Sequence, residues 1–176
     1  MAKQRIAIDM DEVMADPIAR FFEWYERDHG VVLKLDDLHG KRVHEIVAEE
    51  HREIIRRYPH QEAFFKDLKL MQDSQEVIRR LSEQYEIFIA SAAMEFKYSL
   101  VDKYTWLQTH FDFIHWRNYV FCGDKSIVNA DFLIDDHVFN FKGFRGEGIL
   151  FTAPHNVHET GYRRVNSWQD VAKLFL

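Results

Sequence analysis

Two aspartates one residue apart, Asp9 and Asp11, follow a short apolar run, and a second acidic pair, Asp135-Asp136, closes another. Between them in the chain stand a hydroxyl, Ser91, directly after a third apolar run, and a lysine, Lys125, in the loop ahead of the last acid pair. Four carboxylates gathered in a partly dry site repel one another by several kcal/mol. They persist there only with a cation among them or with some of them protonated, and a hard, oxygen-preferring ion such as Mg2+ suits that donor set. The first pair also has a chemistry of its own. Separated by one residue on an extended turn, its side chains point to one side, so one attacks phosphorus while the other sits near the leaving oxygen. Asp9 is then the expected nucleophile, and Asp11 the group that protonates the leaving alkoxide and later takes a proton from water. Lys125, Ser91 and nearby backbone N–H groups, that of Ala92 among them, are expected to hold and neutralise the phosphoryl oxygens.

Elements that position these residues are readable from hydrophobic pattern. Arg5-Ile-Ala-Ile-Asp9, Glu86-Ile-Phe-Ile-Ala90, Asp131-Phe-Leu-Ile-Asp135 and Gly148-Ile-Leu-Phe-Thr152 are short apolar runs that end abruptly, as buried parallel strands do, with Tyr119-Val-Phe121 a shorter candidate. Helices are expected from Pro17 to Gly30, from Asp73 as N-cap with Glu76 three residues on, from Lys97 to about Phe111, and from Ser167 with Asp170 to Phe175. Strand–helix alternation of this kind gives right-handed crossovers and a sheet covered on both faces. The stretch from Val31 to Leu70 differs: a charged helix through Val43, Ile46, Val47, Ile54 and Ile55, and a helical piece with Phe64, Phe65 and Leu68, read as an all-helical insertion. The expected fold is α/β, a doubly wound, mostly parallel, Rossmann-like sheet with a small helical cap inserted after the first strand. Residues 1–16 and 71–176 form the expected core and 17–70 the cap. Ligands bind such sheets beyond the carboxyl ends of the strands, where the polar residues above sit.

The composition narrows the rest. The chain has 176 residues and a formal charge of −6, so no basic face is expected to run along nucleic-acid backbones. One cysteine, Cys122, excludes an internal disulfide framework and a thiolate zinc site. No apolar run approaches a membrane span, and Met-Ala-Lys-Gln-Arg passes into an apolar run too short for a secretory signal, which gives a cytoplasmic expectation.

The order acid pair, hydroxyl, lysine, acid pair resembles the haloacid-dehalogenase-like phosphohydrolases. Asp9-Met-Asp-Glu-Val13 is similar to their first motif, Ser91 to the second, Lys125 to the third and Asp135-Asp136 to the fourth. Within that superfamily the chain resembles the 5′(3′)-deoxyribonucleotidases. The likeness lies in the run from Ile8 to Asp16, Phe96-Lys-Tyr98, Lys103-Tyr-Thr-Trp106, Asp124-Lys125, the run from Ala130 to Asp136, Leu150-Phe-Thr-Ala153 and His155-Asn156. The resemblance implies a Mg2+-dependent phosphatase acting on nucleoside monophosphates, deoxy and pyrimidine forms foremost. It implies a metal held by Asp9, the main-chain carbonyl of Asp11 and Asp136, with Asp135 supporting. The departures are local: Glu12 replaces the glycine of the animal members, Ser91 a threonine, Ala92-Ala93 a Ser-Pro pair and His137 an arginine. Lys41 and Arg42 fall where the family sets aromatics against the base, and Pro17 where it has a phenylalanine. With Phe21 and His137, these three form the expected substrate pocket.

The remaining features have plainer readings. Phe21, Phe22, Trp24 and Tyr25 at helical spacing read as cap core with one face free for the pocket. His155 and His158 read as loop residues without a third metal ligand, Arg163-Arg164 as a solvated loop, and Cys122 as a small buried hydrophobe. A small-molecule substrate is the expected partner, and monomer and homodimer stay open. A dehalogenase has no use for the second acid or the terminal pair, and in a phospho-acceptor signalling module the lysine follows the last acid. A sugar-phosphate phosphatase, a phosphomutase and a non-catalytic protein on the same fold remain as alternatives.

Overall fold

The structure, a computed structural model, describes residues 3–176. Met1 and Ala2, which begin both the expected core segment and the stretch read against a secretory signal, lie outside the described residues. Strand β1 (Arg5–Ile8) leads through a tight loop to the two-residue β2 (Ala15–Asp16) and helix α1 (Pro17–His29). The Asp16 carboxylate accepts from Ala19 N, Pro17 opens the helix, and Gly30, at φ 69°, closes it. A six-residue helix, α2 (Arg52–Arg57), precedes β3 (Lys69–Leu70). Next come α3 (Ser74–Gln84), β4 (Glu86–Ser91), α4 (Ser99–His110), β5 (Tyr119–Phe121), β6 (Phe132–Asp135), β7 (Glu147–Phe151), β8 (Arg163–Val165) and α5 (Trp168–Phe175).

Six strands form one sheet in the order β5-β4-β1-β6-β7-β8, every pair parallel. The α/β, doubly wound expectation is met. β1 lies where the order reverses, with β4 on one side and β6 on the other, so a crevice opens at its carboxyl end. Side chains alternate across the sheet. Ile6, Ile8, Ile89 and Ile134 join the larger core, while Ala7, Ala90 and Leu133 face a smaller one with Val128. The larger core continues without a break into Trp24, Tyr58, Phe64 and Leu38 of the segment 17–70. Where that segment leaves and rejoins, β2 and β3 pair antiparallel.

Four local expectations fail. The charged helix through Val43 and Ile55 is broken into short 3-10 turns at Val43–Glu45 and Glu49–His51 before α2. Its β-branched residues have low helix propensity, and burial of Val43, Val47 and Ile55 decides the path instead. Phe64 to Leu68 is a series of turns, because Ala63 (φ 65°) and Asp67 (φ 55°) adopt left-handed backbone that ends a helix. Asp73 precedes α3 at φ 64° without capping it, and its carboxylate accepts from Gln169 Nε2 at 3.0 Å. Arg163-Arg164-Val165 is the edge strand β8, not a loop.

Candidate active site

The loop after β1 is fixed from three directions. Asp9 N donates to Ile134 O at 2.9 Å, and Met14 N and Ala15 N both donate to Met10 O. Trp168 Nε1, from α5, donates to Val13 O at 2.7 Å, and Met71 N donates to Met14 O at 2.8 Å. Glu12 sits at the apex at φ 58°, a left-handed conformation that costs a non-glycine residue about 1 kcal/mol or more.

Acids from distant parts of the chain meet here. Lys125 Nζ donates to Asp9 Oδ1 and to Asp135 Oδ2, both at 2.5 Å. Asp135 is fully buried and also accepts from His137 N (2.9 Å) and Asn140 Nδ2 (2.9 and 3.0 Å), so its lone pairs are occupied. Asp136 turns the other way, toward His137 Nδ1 (2.7 Å) and His155 Nε2 (3.4 Å). Ser91 lies buried at the end of β4, its Oγ 3.4 Å from Lys103 Nζ, and Lys103 also pairs with Asp11. An open cavity of about 540 Å³ exposes Asp9, Asp11, Lys125, Asp136, His137 and the Ala92 segment. Pro17, Phe21, Phe64, Phe65, Phe96 and Phe139 give it an apolar wall. Arg42 lines this cavity, whereas Lys41 lines an adjoining recess.

The electrostatics follow from burial. Removal from water pushes Asp9 above its usual range against the pull of Lys125, and Asp135 pushes in the same direction as burial. Burial works against the Lys125 charge too, yet Asp9 and Asp135 together hold it more firmly protonated than a free lysine. Asp136 is pushed up to about 7 by burial, then by Glu12 and Asp9, against the opposing pull of His137. His137 is raised to about 9, first by its hydrogen bond to Asp136. The imidazole of this pair is therefore held protonated more firmly than a free histidine.

The donor set fits a small hard cation. Asp9 and Asp136 each offer a carboxylate oxygen beside the already engaged Asp135, oxygens of the three lying within 4.8 Å of one another, and one Asp11 oxygen and one Glu12 oxygen are buried without a hydrogen bond. Asp136 is raised by burial first, and Glu12 and Asp9 add to it.

Several contributors have no role legible in the sequence, although Lys103 and His155 fall in segments that carry the family likeness. Lys103 is buried and lies 4.6 Å over the Phe65 ring. Its signal is positional: with Ser99, Trp106 and Leu107 it falls on the inward stripe of α4, where a lysine needs a partner. His155, expected to lack a third ligand, meets Asp136, His137 and Glu12, while its companion His158 packs against His39 instead. Arg164 ties the Thr152–Glu159 loop together through Thr152, Asn156 and Glu159.

The sheet, with its acid-lined crevice at the switch point, has the fold of the haloacid-dehalogenase-like hydrolases. Solved structures agree on the fold. A HAD-superfamily hydrolase of Geobacter sulfurreducens superposes with a TM-score of 0.58 at 12% identity, covering 99% of this chain and 97% of that one. A magnesium-bound structure from Bacillus subtilis gives 0.60 at 11% identity, covering 99% of both chains. The family model "5′ nucleotidase, deoxy (Pyrimidine), cytosolic type C protein" matches residues 3–176, and the chain belongs to that family. A Staphylococcus epidermidis relative is 41% identical over 175 residues, 99% of this chain and 97% of its own. The Bacillus subtilis "5′(3′)-deoxyribonucleotidase" is 33% identical over 174 residues, 99% of each. The chain is thus a phosphoric monoester hydrolase.

Proposed function

We propose that this protein is a Mg2+-dependent, cytoplasmic phosphatase of nucleoside 5′(3′)-monophosphates, deoxyribonucleotides foremost, working through an aspartyl-phosphate on Asp9. The observation that carries the reading is the Lys125 bridge between Asp9 and Asp135 beside Asp136, at the mouth of an apolar cavity. Asp9 Oδ attacks phosphorus while Asp11 gives a proton to the leaving sugar oxygen. In the second half Asp11 takes a proton from water, which attacks the acyl phosphate and regenerates Asp9. Lys125 holds Asp9 in place and, with Lys103, offsets the charge of the phosphoryl oxygens. Backbone N–H groups after β4, at Ala92, orient them. Asp9, the Asp11 carbonyl and Asp136 would hold the metal, with Asp135 bracing the set, and the metal supplies positive charge to a dianionic phosphate. The aromatic wall receives the nucleoside, and residues 17–70 act as the cap that excludes water.

A phosphate-release screen over deoxy- and ribonucleoside monophosphates and sugar phosphates, with Mg2+ or with chelator, tests this. Turnover of nucleotides that chelator abolishes is expected. Asp9→Asn is expected to remove turnover with the circular dichroism spectrum unchanged. Full activity in that variant refutes Asp9 as nucleophile, and preference for sugar phosphates refutes the substrate class.

A further inference from the structure

Beside the catalytic cavity, and sharing Glu12, Phe21, Arg42 and His137 with it as common wall, lies a second recess of about 140 Å³. Lys41, Arg42, His44 and Arg56 line it, and Arg52 stands with Lys41, His44, Arg56 and one acid, Glu45, around the adjoining groove. Concentrated positive charge is unexpected in a chain of net charge −6. Among the described residues, the side chains of Lys41, Arg42 and Arg52 make no ion pair within 4.0 Å with a carboxylate, and only Arg56 is paired, to Glu53. Glu45 spends a carboxylate oxygen on the backbone N–H of Arg42. The crowding registers on His44, whose pKa is lowered by burial first and then by Arg56, Arg42 and Arg52, against Glu45.

A neutral base can accept a hydrogen bond from an arginine or stack on it but leaves the net charge of Lys41, Arg42 and Arg52 uncompensated, whereas a second anionic group offsets it. The recess joins the catalytic carboxylates through one residue. His137 meets Asp136 with Nδ1 at 2.7 Å, and its Nε2 is 3.4 Å from Arg42. One imidazole and two polar contacts therefore separate Arg42 from the acid cluster, so an anion on Arg42 would be a close neighbour of the reacting phosphate.

We propose that this recess is a second phosphate subsite, and that the preferred substrates are sugar-linked bisphosphates, the nucleoside 3′,5′-bisphosphates first among them. The inference rests on the phosphatase reading above. One phosphoryl group is transferred to Asp9 as its P–O(sugar) bond breaks, and the alkoxide takes a proton from Asp11. Water then releases that phosphate from Asp9, while the other phosphate stays esterified among Lys41, Arg42 and Arg56. The net reaction is bisphosphate plus water to monophosphate plus inorganic phosphate.

Binding and turnover are measured separately. Calorimetric titration of the Asp9→Asn protein with Mg2+ present compares deoxythymidine 3′,5′-bisphosphate, deoxythymidine 5′-monophosphate and a hexose bisphosphate. At least tenfold tighter binding of the nucleoside bisphosphate over the monophosphate is expected. The advantage should fall below threefold when Lys41→Gln and Arg56→Gln are added, both positions being exposed. It should also shrink between 0.05 and 0.5 M salt in the parent protein, as screening requires. Equal affinity for the two nucleotides, or an advantage that survives both changes, overturns the subsite. Tightest binding of the hexose bisphosphate keeps the subsite and overturns its assignment to nucleotides. Phosphate release by the wild-type enzyme is scored on its own: release from no ester overturns the phosphatase reading, whatever the binding comparison shows.

Discussion

Replacing Lys125 with methionine keeps the side chain's length and apolar stem and removes only the charge. The consequences divide unevenly between its two partners. Asp135 retains three contacts, from His137 N and from Asn140 Nδ2 to both oxygens, and remains hydrogen-bonded. Asp9 has Lys125 as its one side-chain donor among the described residues and is left as an uncompensated buried carboxylate. Breaking a buried pair typically costs about 3–5 kcal/mol. Because 12% of the Asp9 side chain still faces the cavity, water recovers part of this, and the lower end, about 3 kcal/mol, is expected for the metal-free protein. For a chain of this size that is roughly 6–12 °C in Tm. The sign of the pH effect is fixed as well. Asp9 already titrates above its unfolded value, and without Lys125 it titrates higher still. A raised carboxylate pKa destabilises the fold above that pKa and ceases to do so as pH falls through it. The deficit of Lys125→Met should therefore narrow on acidification. Thermal melts with chelator at pH 8 and pH 5 measure it. A variant within about 2 °C of wild type at pH 8, or a deficit of constant size, refutes the assignment of Lys125 as the counter-charge of Asp9.

Lys103→Met should behave oppositely. Its partner Asp11 keeps a third of its side chain in contact with water, so Tm should change little, while kcat/KM falls about 10²-fold through the lost phosphate contact; a large loss of stability with full activity refutes this. Glu12→Gly should raise the stability of the metal-free protein by about 1 kcal/mol, read from urea unfolding, because glycine accepts φ 58° freely and a charge beside Asp136 is removed. In chelator, wild-type stability should decline as pH rises from 5 to 9. Asp136 (about 7) and His137 (about 9) both bind protons more tightly in the folded state, so unfolding releases protons across that window. Asp136→Asn should flatten the profile, and an upward slope in the wild type contradicts the assignment.

How far each element is legible in the sequence depends on where its residues find their partners. β1, β4, β6 and β7 are buried on both faces, so each appears as an unbroken apolar run ending at a polar residue. β8 is an edge strand that buries only Val165, and two arginines with one valine carry no such pattern. The segment after α1 misleads for another reason. Val43, Val47, Ile55 and Tyr58 recur at helical intervals, yet each is drawn into a core whose other half comes from Trp24 and Phe64. Non-local burial overrides the period, and left-handed backbone at Ala63 and Asp67 keeps the Phe64–Leu68 stretch from forming a helix. At the site, the acids, Ser91 and Lys125 are legible because each stands beside a strand end. The role of Lys103 is not, even within a segment that carries the family likeness, since a lysine in a helix reads as solvated until its neighbours on the inward stripe are counted. His155 is not either, because its partners Glu12 and Asp136 come from the ends of two other strands.

The buried charges are concentrated in one place. Lys103 and Lys125 are the two buried lysines, and Asp9, Asp135 and Asp136 the buried acids, among the described residues. Glu12, a charged residue in left-handed backbone, lines the same cavity. Each raises the free energy of folding on its own: a charge taken from water, a backbone held in an unfavourable well. None improves the core, and an apolar packing of the same volume is generally the more stable choice for a buried ion pair. Five carboxylates against two lysines and one imidazolium also leave the crevice negative at neutral pH, a poor arrangement for stability but a fitting one for drawing in a divalent cation before an anion. The stability for this must come from elsewhere, and Trp168, Tyr58, Phe64 and the buried isoleucines of β1 are where it resides. Buried charge gathered at the one point where the strand order reverses is therefore better explained by chemistry than by folding.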